Sequence, residues 1–154
     1  KHIHPFDDSD ITMEKFMEAY NADLANGLGN QVSRIMKLAV THLERPVQVP
    51  EEMKTMQEPF AAHLEAFNYG AACALIWEHI AKVDGYIQEK KPFTLVKSQI
   101  ASEKAEALQI IERLVGHVMM LAVHLEPILP ETSAKIRTAV ESHTMPDALF
   151  PRKI

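Results

Sequence analysis

The sequence predicts an all-α fold: an antiparallel helical bundle of four to five helices in a single domain. Long stretches space their apolar residues three or four apart, which is the helical period. Prolines bound the connections between these stretches. Hairpin signals are weak, because the Asn26-Gly27 pair lies inside a helical period. The 154 residues are enough for one hydrophobic core.

Pro and capping residues divide the chain into elements. Thr12 is the expected N-cap of a first helix, or helix pair, that runs to about Glu44. Residues 45–50 are expected to be extended because of two prolines. Pro59 lies at the middle of the next helix, 51–66, or at a fresh start within it. The remaining expected elements are a linker over 1–11, helices over 68–89, 103–125 and 131–142, a short segment over 94–98, and an extended tail over 146–154.

Apolar periodicity also predicts which side chains face the core. The predicted inward stripe of the 68–89 helix is Tyr69, Ala72, Leu75 or Ile76, His79, Val83 and Tyr86. The predicted inward face of the 103–125 helix is Ala107, Ile110, Ile111, Leu114, Val118, Leu121 and Leu125. Ile136 and Val140 are expected to point inward from the last helix.

Composition narrows the classes of function. A net charge of −5 and a pI of about 5.9 argue against broad phosphate binding and a DNA partner, although a local site for unstacked RNA bases is compatible with them. A lone Cys73 forms no internal disulfide, which fits a reducing compartment. The longest apolar run, 115–125, is too short and too polar for a bilayer, and no signal peptide is recognisable, so no membrane partner is expected.

Motifs for metal or covalent chemistry are missing from the sequence. No Glu has a His three residues later, and there is no His-Glu-x-x-His motif, Gly-rich phosphate loop or nucleophile elbow. His117 and His124 are expected at the edge of the core. We therefore expect no catalytic residue, no metal site and no cofactor in this chain.

Residues 20–34 combine a helical apolar period with residues that disfavour helices. The period comprises Phe16, Tyr20, Leu24, Leu28, Val32, Ile35 and Ala39. The Gly and Asn residues inside it cost roughly 4 kcal/mol of helix propensity relative to Ala. Asn26, Asn30 and Arg34 step by four, so on an α-helix they form one hydrogen-bonding face. The alternative is a break between two shorter helices, with Arg34 merely solvated.

The same stretch matches a family pattern without gaps. The pattern Asn-x-Asp-Leu-x-Asn-x-Leu-Gly-Asn-x-x-x-Arg is met by Asn21, Asp23, Leu24, Asn26, Leu28, Gly29, Asn30 and Arg34. It resembles the first helix of the anticodon-binding domain of methionyl-tRNA synthetases. Three later phrases also resemble this domain, in the same order: Tyr86-Ile87 followed by Lys91-Pro92-Phe93, then Leu125-x-Pro127-x-x-Pro130-Glu131-Thr132, and Leu149-Phe150-Pro151-Arg152.

The resemblance implies a C-terminal anticodon-binding domain over 1–154, with 1–11 as the linker from a catalytic domain that is missing here. The family's His-x-Gly-His and Lys-Met-Ser-Lys-Ser signatures are absent from the sequence, so the chain alone should be inactive. The implied partners are the anticodon loop of tRNA(Met) and the catalytic domain of the same polypeptide. ATP and Mg²⁺ would belong to the parent enzyme, a methionine–tRNA ligase of the cytoplasm.

The resemblance also implies roles for particular residues. Asn30 and Arg34 would bind base edges of a CAU anticodon. Phe93, where the family usually has Trp, would stack on the first anticodon base, held in place by Pro92. Lys90, Lys91 and Lys97 would make supporting phosphate contacts. Asp84 stands where the family usually has Asn, and an ionised carboxylate only accepts hydrogen bonds.

Other interpretations stay open from the residues alone. Phe93 could cover the end of the core, Arg34 could form a surface ion pair, and the three lysines could form a solvated face. Asp23 and Asn26 could serve the fold, by capping a neighbouring helix or bridging to the opposite one. The whole chain could instead be the equivalent domain of another class I synthetase, such as the cysteinyl or leucyl type, or a helical protein-interaction module.

Overall fold

The computed structural model describes residues 12–153, and this part of the chain is an all-α bundle without strands, as predicted. The expected linker 1–11 lies outside the described residues. The helical elements are α1 (Met13–Ala19), a π-helical segment (Tyr20–Gly29), α2 (Asn30–His42), a 3₁₀ turn (Glu51–Met53), α3 (Glu58–Glu65), α4 (Tyr69–Lys90), α5 (Pro92–Leu95), α6 (Ala101–Leu125) and α7 (Pro130–Ser142).

Helix α6 is the centre of the bundle, and α2, α4, α5 and α7 pack against it. All seven residues of its predicted inward face are buried. Ile136 and Val140 of α7 are buried too, as predicted. Ser133 of α7 donates a hydrogen bond from Oγ to the carbonyl oxygen of Ala122 at 2.7 Å, which ties the two helices together inside the core.

The predicted stripe of α4 is wrong in several positions. The buried residues of this helix are Ala72, Ile76, Ile80, Val83 and Ile87. Tyr69 is 51% exposed because it is the first residue of the helix, beyond the reach of α6. Leu75, His79 and Tyr86 are only partly buried. Ile80 and Ile87 take the inward positions one residue later, because a branched aliphatic side chain fills a helix interface without carrying a polar atom into it.

The first helical stretch has no break. Thr12 caps α1 as predicted, accepting a hydrogen bond from the Lys15 N–H at 3.2 Å. The backbone stays in the right-handed helical region at Ala19, Gly29 and Asn30, so the alternative of two separate helices is wrong. Over 20–29 the turns widen to the π form, in which each N–H bonds to the carbonyl five residues back. Phe16, which begins the apolar period, is 56% exposed, and α1 buries no residue.

Capping residues set the remaining boundaries. Pro59 starts a new helix, α3, and does not kink one that runs from Glu51. The Asn68 side chain caps α4 by accepting from the Ala71 N–H at 3.2 Å. Helix α4 ends at Lys90, and Lys91 adopts a left-handed conformation with φ 46° before Pro92 opens α5.

Helix α6 is long and apolar enough to resemble a membrane span in composition, although the run 115–125 taken alone is too short. Most of the helix is buried inside the bundle, which is also the signature of a core helix. Length and composition are therefore weak evidence for a membrane at this helix.

Three histidines lie between α4 and α6. His124 is buried, its Nε2 accepts from the Gln57 N–H at 3.2 Å, and its Nδ1 donates to the Met120 carbonyl oxygen at 2.7 Å. The His79 and His117 ring centroids lie 5.2 Å apart. Burial, helped by the neighbouring His117 and His124, lowers the pKa of His79 to about 4, and burial also lowers the pKa of His117. Within residues 12–153, no three His, Cys, Asp or Glu side chains group so that they could hold a metal ion.

We expect the fold to lose stability in acid because of these rings. A buried neutral His binds a proton less readily than the same His in the unfolded chain. The contribution of His79 to the free energy of unfolding is therefore fully present above pH 6.5 and declines as the pH falls towards 4. For His79 the loss should reach about 2 kcal/mol, allowing for partial exposure of the ring. His79→Leu should flatten the pH dependence of urea unfolding between pH 6.5 and 4, whereas His63→Gln on α3 should leave it as in the wild type.

Candidate nucleic-acid interface

A cleft of about 500 Å³ opens between α2 and the junction of α4 with α5. Its apolar floor is formed by Ile35, Leu38 and Ile87. Arg34 enters it from α2 and Phe93 from α5. The polar rim consists of Lys37, Thr41, His42, Gln88 and Lys97. Two of the residues implied by the family resemblance, distant in the chain, are thus brought to one cavity.

Phe93 is a wall of this cleft and not a core residue, because 43% of it is exposed. The local sequence fixes its position. Pro92 cannot continue α4, so the chain turns at the left-handed Lys91, and Pro92 then becomes the first residue of α5 and is buried. A buried, rigid residue next to an exposed ring holds that ring out towards solvent.

Arg34 on α2 pairs with Asp84 on α4, which is not among the residues that line the cleft. Its Nη1 lies 3.8 Å from Oδ1 of Asp84, and the two side chains are 40% and 42% exposed. An ion pair this long and this exposed contributes less than about 1 kcal/mol. Oδ1 of Asp84 is shielded from solvent but accepts no hydrogen bond from the described residues. One turn away, the buried Gln31 donates from Nε2 to the Ile80 carbonyl oxygen at 2.8 Å, which also joins α2 to α4.

The three predicted lysines differ in their surroundings. Lys97 lines the cleft with Phe93. Lys90 lies outside the cleft lining and its Nζ is 3.0 Å from Oε1 of Glu89, whose hydrogen bond raises the pKa of the ammonium group. Lys91 is exposed on the turn. Sequence reasoning missed Lys37, which lines the cleft one helical turn after Arg34 and could have been found by that spacing.

Asn30 opens into a neighbouring cavity and not into the cleft. That cavity, of about 310 Å³, is lined by Ala25, Asn26, Gly29, Asn30, Ser33, Ala148, Leu149, Phe150 and Arg152. Asn26 and Asn30 share this cavity, whereas Arg34, one α-helical turn after Asn30, lines the cleft.

The π-helical segment also holds the C-terminal tail, which lines the same cavity as Asn30. Asn21 makes two hydrogen bonds of 2.9 Å to the backbone of Lys153, one to its carbonyl oxygen and one from its N–H. Asn26 Oδ1 accepts from Nη2 of Arg152 at 2.6 Å. The partner of Asn26 is therefore the tail and not the opposite helix.

Aromatic packing completes the contact between tail and segment. Phe150 packs edge-on against Tyr20, with ring centroids 6.2 Å apart. A Cβ at Gly29 would come within 3.3 Å of Cδ2 of Phe150, so a larger residue there would push the tail away. Asn21, Asn26 and Gly29, which belong to the family pattern, therefore hold the C-terminal tail against the bundle.

Comparison with known proteins finds relatives that match most of this chain. No protein-family model matches it. A methionine–tRNA ligase of Clostridium acetobutylicum is 30% identical over 149 residues, which cover 89% of this chain and 23% of that protein. One of Streptococcus pyogenes serotype M3 is 26% identical over 141 residues, 84% of this chain and 21% of that protein. Over most of its length, the chain is similar to a part of methionine–tRNA ligases. It spans about a fifth of the length of these relatives.

Solved structures of methionyl-tRNA synthetases have the same fold in this region. The apo form from Mycobacterium tuberculosis has a TM-score of 0.70 and 21% identity, covering 94% of this chain and 35% of that one. The form bound by methionyl-adenylate has a TM-score of 0.68 and 20% identity, covering 92% and 34%. At this level of identity the likeness supports the fold alone.

We expect Asn21→Ala to loosen the tail of this methionine–tRNA ligase relative. The variant loses both hydrogen bonds to Lys153, worth together about 1 kcal/mol at an exposed site. The amide hydrogen of Lys153 should then exchange roughly five-fold faster in an NMR exchange experiment. Asn68→Ala, which removes an Asn-to-backbone bond at the start of α4, is the matched control and should leave that amide unchanged.

Proposed function

We propose that the chain is the tRNA anticodon-recognition domain of a methionine–tRNA ligase. It would bind the CAU anticodon loop of tRNA(Met) and so orient the tRNA for ATP-dependent aminoacylation by a catalytic domain outside this chain. The observation that supports it most is the convergence of Arg34 and the exposed Phe93 in one cleft beside Lys37 and Lys97. Proteins read loop bases by stacking aromatic rings on them and hydrogen-bonding to their edges.

The cleft suits a single unstacked nucleotide. Phe93 offers a ring face on which a base can stack, which is worth about 1–3 kcal/mol per base. The apolar floor accommodates the rest of the base, and the Arg34 guanidinium supplies planar donors for its edge. Lys37 and Lys97, both exposed, lie at the rim, where a phosphate would pass. Asn30, in the neighbouring cavity, would contact an adjacent nucleotide.

Other parts of the proposal concern the parent enzyme. We assign ATP and Mg²⁺ to the portion of the parent enzyme outside this chain, because the family's His-x-Gly-His and Lys-Met-Ser-Lys-Ser signatures do not occur in this sequence. The catalytic domain of the same polypeptide is the proposed partner, and the cytoplasm the proposed location. The relatives named methionine–tRNA ligase favour this assignment over a cysteinyl or leucyl type.

The test is binding of fluorescent anticodon stem-loop RNAs to the domain, measured by anisotropy. Arg34→Ala and Phe93→Ala should each weaken binding of the CAU loop by about 1–3 kcal/mol, or 5- to 150-fold. Helicity should be unchanged in Phe93→Ala because the ring is exposed. Phe67→Ala, the loss of an even more exposed ring (71%) just before α4 and roughly 33 Å away along that helix, is the control and should bind like the wild type.

Two results would contradict the proposal. Equal affinity for the CAU loop and a scrambled loop would remove the claim that bases are read. Binding of a protein partner with little dependence on salt, in place of RNA binding that weakens steeply as salt rises, would favour the helical interaction module.

A further inference from the structure

We propose that the exposed aromatic pair Phe67–Tyr69, at the corner between α3 and α4, is the surface on which the rest of the parent polypeptide packs. The inference rests on the proposed function, because it takes this chain to be one part of a methionine–tRNA ligase. It is carried by an exposed ring that the backbone holds in a conformation unfavourable for a side chain.

The pair is apolar surface that the chain itself leaves uncovered. Phe67 is 71% exposed and Tyr69 is 51% exposed, and their rings meet edge to face with centroids 6.3 Å apart. Among residues 12–153, no other aromatic side chain is as exposed as Phe67. The neighbouring Ala66 and Gly70 are small and exposed too. Such a pair is typical of a contact surface, since aromatic residues are enriched at protein interfaces.

The backbone at Phe67 makes the exposed ring harder to explain from this chain alone. Helix α3 ends in a Schellman motif: the Phe67 N–H bonds to the Leu64 carbonyl oxygen at 3.0 Å and the Asn68 N–H to that of His63 at 2.8 Å. The motif requires a left-handed residue, and Phe67 has φ 54°. Gly is usual there, because other residues are strained in this region. The chain thus accepts strain for a ring that it does not bury, which indicates a contact outside the described residues.

The aromatic pair lies at the end of the bundle opposite the cleft. Helices α2 and α4 run in the same direction, because Gln31 bonds to Ile80 and, one turn later, Arg34 pairs with Asp84. Both helices therefore begin at the same end. The pair adjoins the first turn of α4, and Phe93 lies beyond the last turn, roughly 33 Å away. A partner on this corner leaves the cleft open to RNA.

The rest of the same polypeptide is the occupant that fits this surface. The chain covers only 23% and 21% of two methionine–tRNA ligases that it resembles. Helix α1 continues into α2 and so reaches the same end of the bundle, where a catalytic domain that precedes α1 is tethered.

The small size of the surface also favours a tethered partner. Two aromatic side chains bury at most about 500 Å². Partners that associate freely bury about 800 Å² each. A tether supplies a high effective concentration, so a contact too small for a second, independent copy of the chain is sufficient within one polypeptide.

Two variants remove the contact while they improve the local structure. Phe67→Gly deletes the ring and relieves the left-handed residue. Gly70→Gln places a long side chain beside Tyr69, at a position where a Cβ has no neighbour within 4 Å, and Gln favours a helix more than Gly does. The control is Gly85→Gln, the same substitution on the same helix at a second position where a Cβ has no neighbour within 4 Å.

The experiment is hydrogen exchange of the complete parent polypeptide, followed by mass spectrometry in the peptide that contains residues 64–70. Rates are divided by the intrinsic rates of each sequence. We expect exchange to be about ten-fold faster in Phe67→Gly and in Gly70→Gln than in the wild type, because the covering domain no longer holds the corner closed. Gly85→Gln should leave the rate unchanged. Local stabilisation alone slows exchange, so faster exchange in these variants reports the loss of the cover.

The contradicting results are distinct. Exchange that is unchanged or slower in either variant would overturn the docking surface. Wild-type protection that disappears on dilution would mean that a second copy covers the corner, and would overturn the assignment to the same polypeptide. Binding of the CAU stem-loop, measured on the same proteins, should be equal in the wild type and all three variants. Failure of the wild type to distinguish this loop from a scrambled one would remove the proposed recognition of bases and leave the docking surface standing.

Discussion

The burial of α6 is the constraint on which the rest of the structure depends. Its apolar residues surround most of the helix, so neighbours must cover it on several sides. Helices α2 and α4 each pack against it, and so does α5. Because all three are positioned by the same central helix, Arg34 and Phe93 are brought to the same cleft. The cleft between them is a product of core packing and needs no ligand to assemble it.

The fold class and the faces of α6 and α7 were predictable because they depend on local periodicity. On α4 the same reasoning failed at Tyr69, since sequence alone does not reveal where a neighbouring helix stops covering it. Apolar periodicity also did not predict the π-helical form of residues 20–29. The Gly and Asn residues indicated only that this stretch is not optimised for α-helix stability. Spacing also does not predict that Asn30 lines one cavity and Arg34, one turn later, lines the next.

The candidate site was predictable only through resemblance to a family. Nothing local joins Arg34 to Phe93, and periodicity cannot state that two helices will converge. The roles of Asn21 and Asn26 were hidden for the same reason: their partners, Lys153 and Arg152, lie at the other end of the chain. One motif thus contains residues that face solvent at a cleft and residues that secure the tail, and spacing does not separate the two kinds.

The contact between Asn21 and Lys153 joins positions 132 residues apart. Closing so long a loop is entropically expensive and gains little until the bundle between has formed. The tail can therefore dock only after the residues of every described helix have been synthesised. While the polypeptide is being synthesised, Tyr20 and Gly29 remain uncovered until nearly every other helix has emerged. The π-helical segment therefore lacks its contact with the Phe150 ring until the end of the chain has been synthesised.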